Sequence, residues 1–283
     1  MRWVNVKAVH RIILGRWYNT SMRAILPLLA ALCLATNGCS TGYNAGTSTE
    51  EIVLIDTNRE VRMGASIDQQ IRRSKEFIVS NDPTLLARLD RLGQQLAAVS
   101  DRKEITYHFT LLDWDEVNAF AVPGGYIYVS RKLMELTKDD AELAAVLGHE
   151  IGHVVAKHSV KKLQAALGAT LFEVLVAASG TRDPNAIRGT QVALDQLFMA
   201  YSRQDELQAD TLSTRYLQRA GFNPEAAISF LQRLQAYQRK QPLRPYSYAR
   251  THPYFDDRIR TVKAAVRGRV DFEDYINMSS EGR

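Results

Sequence analysis

Between Pro83 and Ala98 the apolar side chains Leu85, Leu86, Leu89, Leu92 and Leu96 recur every three or four residues, which is one face of an α-helix. Asp82-Pro83 supplies the start signal. The same period runs from Ile67 to Ile78. From Ile105 to Leu112 the pattern changes to alternation around Tyr107 and Phe109, predicting a strand. Asp113 to Asn118 turns the chain, and Ala119 to Val129 continues as strand or hairpin broken at Pro123-Gly124-Gly125. Helical spacing returns from Lys138 through His153, then over Ala165–Ala178, Gln191–Arg203, Asp205–Ala220, Glu225–Lys240 and Asp256–Val266. Ala165–Ala178 is strongly apolar but shorter than the ~20 residues a bilayer requires, so it reads as a buried helix. Thr181–Thr190 reads as a loop able to cover a cleft, and Gln241–Pro253 as a Pro- and Tyr-bearing loop. The pattern predicts an α+β fold, mainly helical, with a small antiparallel sheet.

Charge is unevenly placed. The chain carries 36 basic and 31 acidic residues, a formal excess of +5. Residues 1–38 hold Arg2, Lys7, Arg11, Arg16 and Arg23 and no acid, so beyond them 31 basic and 31 acidic residues cancel. A nucleic-acid partner is therefore not expected, because it calls for a basic patch or stripe. The leader instead reads as a secretory signal: Arg23, an apolar run Ala24–Ala35, then Thr36-Asn37-Gly38-Cys39-Ser40, similar to a bacterial lipobox. The signal is complete from Met22 onward. Only Cys33 and Cys39 exist; loss of the first with the leader leaves Cys39 as a lipidation candidate and no internal disulfide. The expected organisation is a signal peptide at 1–38, a flexible tether at 39–65 and a globular domain at 66–283.

The chemistry concentrates at His149-Glu150-Ile151-Gly152-His153. Helical positions four apart leave the same face one turn apart, so both imidazoles can reach one Zn²⁺. Glu150 is the candidate acid/base toward a water on that metal. A catalytic zinc needs a third protein ligand. A third histidine six residues on is ruled out, because Ser159 stands there. On a continuous helix His158 lies ~140° off the ligand face and reads as a structural or helix-end residue. Glu206 and Asp210, four apart in Ser202–Asp210, share one face, with Ala209 keeping the neighbouring surface small. Glu206 is then the candidate third ligand and Asp210 a partner for the outer ring nitrogen of a ligand histidine; a solvated charged face is the alternative.

With these residues in place, the chain resembles the HtpX-like and CAAX-prenyl-protease-like zinc metallopeptidases, a gluzincin group, in its periplasmic lipoprotein branch. The resemblance is carried by HEIGH, by Ser202-Arg203 with Glu206 and Ala209-Asp210, by Asn118–Gly125, and by Thr251-His252-Pro253 with Arg258-Ile259, over roughly residues 80 to 265. It implies a zincin-like protease with a two-helix zinc site, one Zn²⁺ held by His149, His153 and Glu206, and Glu150 as catalytic acid/base. His252 and Arg258 are candidates for stabilising an oxyanion; for His252 an inhibitory fourth ligand and a structural role stay equally open. Asn118, Ala119, Phe120 and Ala121 are expected to form an edge strand that pairs with extended substrate. The substrates implied are unfolded or misassembled envelope proteins, met in the periplasm from a lipid anchor on the outer membrane. A zinc-containing chaperone that binds clients without cutting them is the alternative.

Overall fold

Two short strands, β1 (Ser40–Asn44) and β2 (Thr49–Val53), pair with each other inside the segment expected to be a tether. The computed structural model describes the backbone of residues 40–44, 49–53, 55–178 and 192–267, and the side chains of 55–168 and 192–267. The leader, Cys39, most of the Thr181–Thr190 loop's surroundings and that loop itself lie outside the described residues, as do the side chains that would test burial of the apolar stretch up to Ala178.

Helix α1 (Thr57–Arg73) begins well before the Ile67 expected from periodicity, because the Asp56 side chain accepts a hydrogen bond from Arg59 N and caps it. It also stops before Ile78. Ser74 caps its end and turns the chain, which frees Phe77 to enter an aromatic cluster with Trp114, Phe120 and Phe198. Helix α2 (Pro83–Ala97) matches its expected bounds, with Asp82 accepting from Thr84 N and Leu85 N.

Three strands follow: β3 (His108–Leu112), β4 (Ala119–Val122) and β5 (Tyr126–Ser130), the last two joined by a 3₁₀ turn at Pro123–Gly125. Their order is β3-β5-β4, with β4 antiparallel and β3 parallel to β5. The sheet is thus mixed rather than antiparallel. The 113–118 connection carries the chain past one strand width, and the hairpin then folds β5 into the gap. β4 is left at the edge.

Alternation sorts the two faces of the sheet. Leu111, Ala119, Ala121, Ile127 and Val129 share a core with α2 and with α4 (Asp140–Val155), which follows the short α3 (Arg131–Leu136). Leu112, Phe120, Val122 and Tyr128 face Met63, Ile67 and Ile71 of α1 and Leu163 of α5 (His158–Ala178), a helix broken at Gly168. After a helical stretch at 192–197 come α6 (Arg203–Arg219), α7 (Glu225–Gln238), the single turn α8 (Tyr248–Thr251) and α9 (Phe255–Val266). The expected helix at Gln191–Arg203 is cut short because Ser202 and Asp205 form a capping box that starts α6. Among the described residues no helix is long and apolar enough to cross a membrane.

Candidate active site

The site is made by two helices that approach at backbone distance. On α4 the glycines 148 and 152 lie one turn apart and face Ser213 and Ala209 of α6. A Cβ at Gly152 would stand 2.8 Å from Ala209 O, and one at Gly148 would stand 2.8 Å from Ser213 Oγ. Only residues without side-chain bulk allow this approach, and it brings His149 and His153 against Glu206 and Asp210. Asp139 caps α4 through Ala141 N and Glu142 N, and the acidic residues of its first turn complement the helix dipole.

His149 Nε2 and His153 Nε2 are 3.0 Å apart. Glu206 places Oε2 3.5 Å from the first and Oε1 3.4 Å from the second. Ligand atoms around a tetrahedral Zn²⁺, each at ~2.0–2.1 Å, stand ~3.3 Å from one another, so the three side chains already have the spacing of a coordination set. His252 joins them: Nδ1 is 2.9 Å from Glu206 Oε1 and 3.4 Å from His149 Nε2. The ligating atoms of these four buried residues lie within 4.8 Å of one another. Both carboxylate oxygens of Glu150 are buried with no hydrogen-bond partner, as is His252 Nε2, 3.6 Å from Glu150 Oε1. An orphaned buried carboxylate is costly and marks a place built for something else to bind. The donor set fits zinc.

Asp210 and Arg258 pack directly around this set. Asp210 Oδ1 lies 2.8 Å from His149 Nδ1, the outer nitrogen. Arg258 donates from Nε and Nη2 to Asp210 at 2.8 and 2.9 Å, and its Nη1 lies 2.9 Å from Glu206 Oε2 and 3.3 Å from His252 O. Each of its three nitrogens thus contacts a carboxylate or backbone oxygen. Tyr201 stacks on His153 at 4.0 Å and Tyr248 on His252 at 4.3 Å. The sequence reading missed both tyrosines. Tyr201 sits in irregular chain with no pattern around it, whereas Tyr248, four residues before His252, had a helical spacing that could have drawn notice.

Burial and paired charge set the protonation states. Burial pushes Glu150 upward, against the charges of His252 and His149. Burial also acts to raise Glu206, but His252 and Arg258 outweigh it and hold the carboxyl well below its ordinary range. For His149, burial and Arg258 push down while Asp210 and Glu206 push up and prevail, at about 9. His153 falls well below the ordinary histidine value, chiefly through burial.

Ala119, Phe120 and Ala121 lie in the edge strand β4, with Asn118 just before it, and all four side chains are buried. The Asn118 amide donates to Tyr246 O, tying β4 to the loop before α8, and Ala121 O accepts from Ser159 Oγ at 2.8 Å. Ser159 in turn contacts the Tyr201 hydroxyl at 3.0 Å.

Comparison with known proteins agrees with this geometry. The profile described as peptidase family M48 matches residues 83–266. The chain is 32% identical over 252 residues to the beta-barrel assembly-enhancing protease of Escherichia coli (strain K12), covering 83% of this chain and 50% of that protein. It is 28% identical over 211 residues to the mitochondrial metalloendopeptidase OMA1 of Schizosaccharomyces pombe, covering 75% of this chain and 61% of that one. The chain spans about half the length of the first of these relatives. HEIGH, the second-helix glutamate and the profile match over residues 83–266 together place this chain in peptidase family M48.

Proposed function

We propose that the protein is a zinc-dependent endopeptidase of the bacterial cell envelope that cleaves unfolded or unassembled proteins. The observation that carries this reading is the buried, partnerless Glu150 carboxylate beside three side chains spaced as a tetrahedral ligand set. His149, His153 and Glu206 would hold the ion. When bound, zinc supplies Lewis acidity that polarises a peptide carbonyl and lowers the pKa of a water molecule to ~7. Glu150 would take the proton from the attacking water and deliver it to the leaving amine, work that suits a carboxylate whose pKa burial raises above the ordinary range. Asp210 holds the His149 tautomer, and Arg258 balances the charge of Asp210 and Glu206. The edge strand β4 offers backbone groups to an extended substrate, a mode that accepts many sequences but requires an unfolded segment. That requirement, and similarity to a protease named for enhancing beta-barrel assembly, favour quality control as the role. Cys39 would carry the lipid that anchors the enzyme to the outer membrane, facing the periplasm.

His252 supports a second state of the same site. Its Nδ1 lies within the four-residue ligand group, and as a fourth ligand it would exclude water and hold the enzyme shut. Substituting His252→Ala decides between roles: higher activity marks an inhibitory ligand, and a large loss marks an oxyanion donor.

The main test is cleavage of an unfolded casein-type substrate by purified protein, with and without a chelator. We expect cleavage that chelation abolishes and added zinc restores. Zinc-loaded protein that binds the substrate but never cuts it would point to a chaperone instead.

A further inference from the structure

Helix α4 ends at Val155, and Lys157 then adopts a left-handed backbone, φ +55°, before α5 starts at His158. Such a conformation is uncommon for a residue other than glycine, and it reverses what uninterrupted helical geometry would give. Five residues after His153 on a continuous helix, His158 would point ~140° away. After the reversal its Nδ1 lies 2.8 Å from Nδ1 of His153, and its Nε2 lies 2.9 Å from Gln208 Oε1. Its Nε2 also stands 3.4 Å from Asp205 Oδ1. Both His158 and Gln208 are buried.

Two ring nitrogens at that distance share one proton. If His153 offers the lone pair of Nε2 to a cation, its own proton must sit on Nδ1, and Nδ1 of His158 must accept it. His158 then carries its proton on Nε2, which meets the oxygen of the Gln208 amide. The opposite arrangement would put a proton on the His153 nitrogen that faces the ligand group, where a cation could not bind. From this chain we infer that His158 is a positioning residue for the metal site, fixing the tautomer and the ring orientation of His153 through Nδ1, with Gln208 as its anchor. The two ligand histidines are thus held by different chemistry, His149 by a carboxylate and His153 by a neutral imidazole. The inference rests on the metal reading proposed above and adds to it a residue that touches neither substrate nor ion.

The test is zinc affinity by chelator competition on the full chain, together with the visible absorption of the cobalt-substituted protein, which reports geometry around the ion rather than stability. His158→Ala should weaken zinc binding ~10–100-fold and shift the cobalt bands. His158→Asn puts an acceptor oxygen where Nδ1 stood and should restore most of the affinity and the wild-type bands. Unchanged affinity in the Ala variant, or an Asn variant as poor as Ala, overturns the inference while leaving the metal site standing. A wild-type chain that takes up no cation sinks the metal reading and this inference with it. Should the Ala variant fail to fold by thermal melting, Gln208→Leu decides: weakened binding with shifted cobalt bands supports the anchor, and wild-type affinity overturns it.

Discussion

Glu150 is fully buried and neither of its oxygens has a hydrogen-bond partner, so its conservative replacement isolates chemistry from folding. Glu150→Gln should keep zinc and lower the rate of substrate cleavage by at least ~10²–10⁴, the usual worth of a general acid/base. Retained cleavage in zinc-loaded variant protein would remove Glu150 from the mechanism. His149 makes a pH prediction. Its pKa is raised to about 9, so below that value a cation must displace a proton to bind. Apparent zinc affinity should therefore climb with pH, by up to ~10-fold per unit for one proton, and level off near pH 9; competition titrations from pH 6 to 9 would show it. At this scale much was legible. The four-residue spacing of His149 with His153, and of Glu206 with Asp210, is a property of helix geometry and needs no tertiary knowledge. His158 was legible only in part: the sequence marked it as a helix-end residue, but the left-handed Lys157 that re-aims it left no trace in the residue pattern.

Two elements, α4 and α6, make the site by approaching closely, and the contact depends on glycine. Ala is normally a better helix residue than Gly by ~1 kcal/mol. At Gly152 the sign should reverse, because the new Cβ meets the Ala209 backbone at 2.8–3.0 Å and the helices must part. We expect Gly152→Ala to destabilise by ~1–3 kcal/mol and to weaken zinc binding by carrying Glu206 away from the histidines. Thermal melting and zinc titration would check both; a stabilised variant with intact affinity would refute the close contact. The helices themselves were readable, since caps and apolar stripes are local. The sheet was less so. Periodicity identified its strands but not that β5 inserts between β3 and β4, because strand order is a matter of where a connection travels.

The family profile starts at residue 83, yet the described fold does not. Helix α1 lies against the Pro123–Gly125 turn so tightly that a Cβ at Gly64 would stand 2.0 Å from Pro123 O. Glu60 accepts from Gly124 N at 3.1 Å and pairs with Arg102 at 2.6 Å. Arg102 also donates to Val154 O at the end of α4. One buried ion pair thus joins α1, the β4–β5 turn and the helix that carries the histidines. Arg102→Met would leave Glu60 charged, buried and unpaired, at a cost of ~3–5 kcal/mol; replacing both partners by apolar residues should recover much of that. Chemical denaturation of the single and double variants would measure the difference. Equal losses in both would mean the pair contributes little as a pair.

The sequence by itself determined the helix periods, their caps, the alternation that builds the sheet and the spacing of the histidines and acids, because each depends on neighbours within a few residues. Only the tertiary structure decided which faces meet. The Gly148–Gly152 groove against Ala209 and Ser213, the pairing of Arg258 with Asp210 and Glu206, and the turn of His158 onto His153 all come from long-range packing. A one-dimensional pattern can state that a side chain is available, and the approach of a second helix settles what it touches.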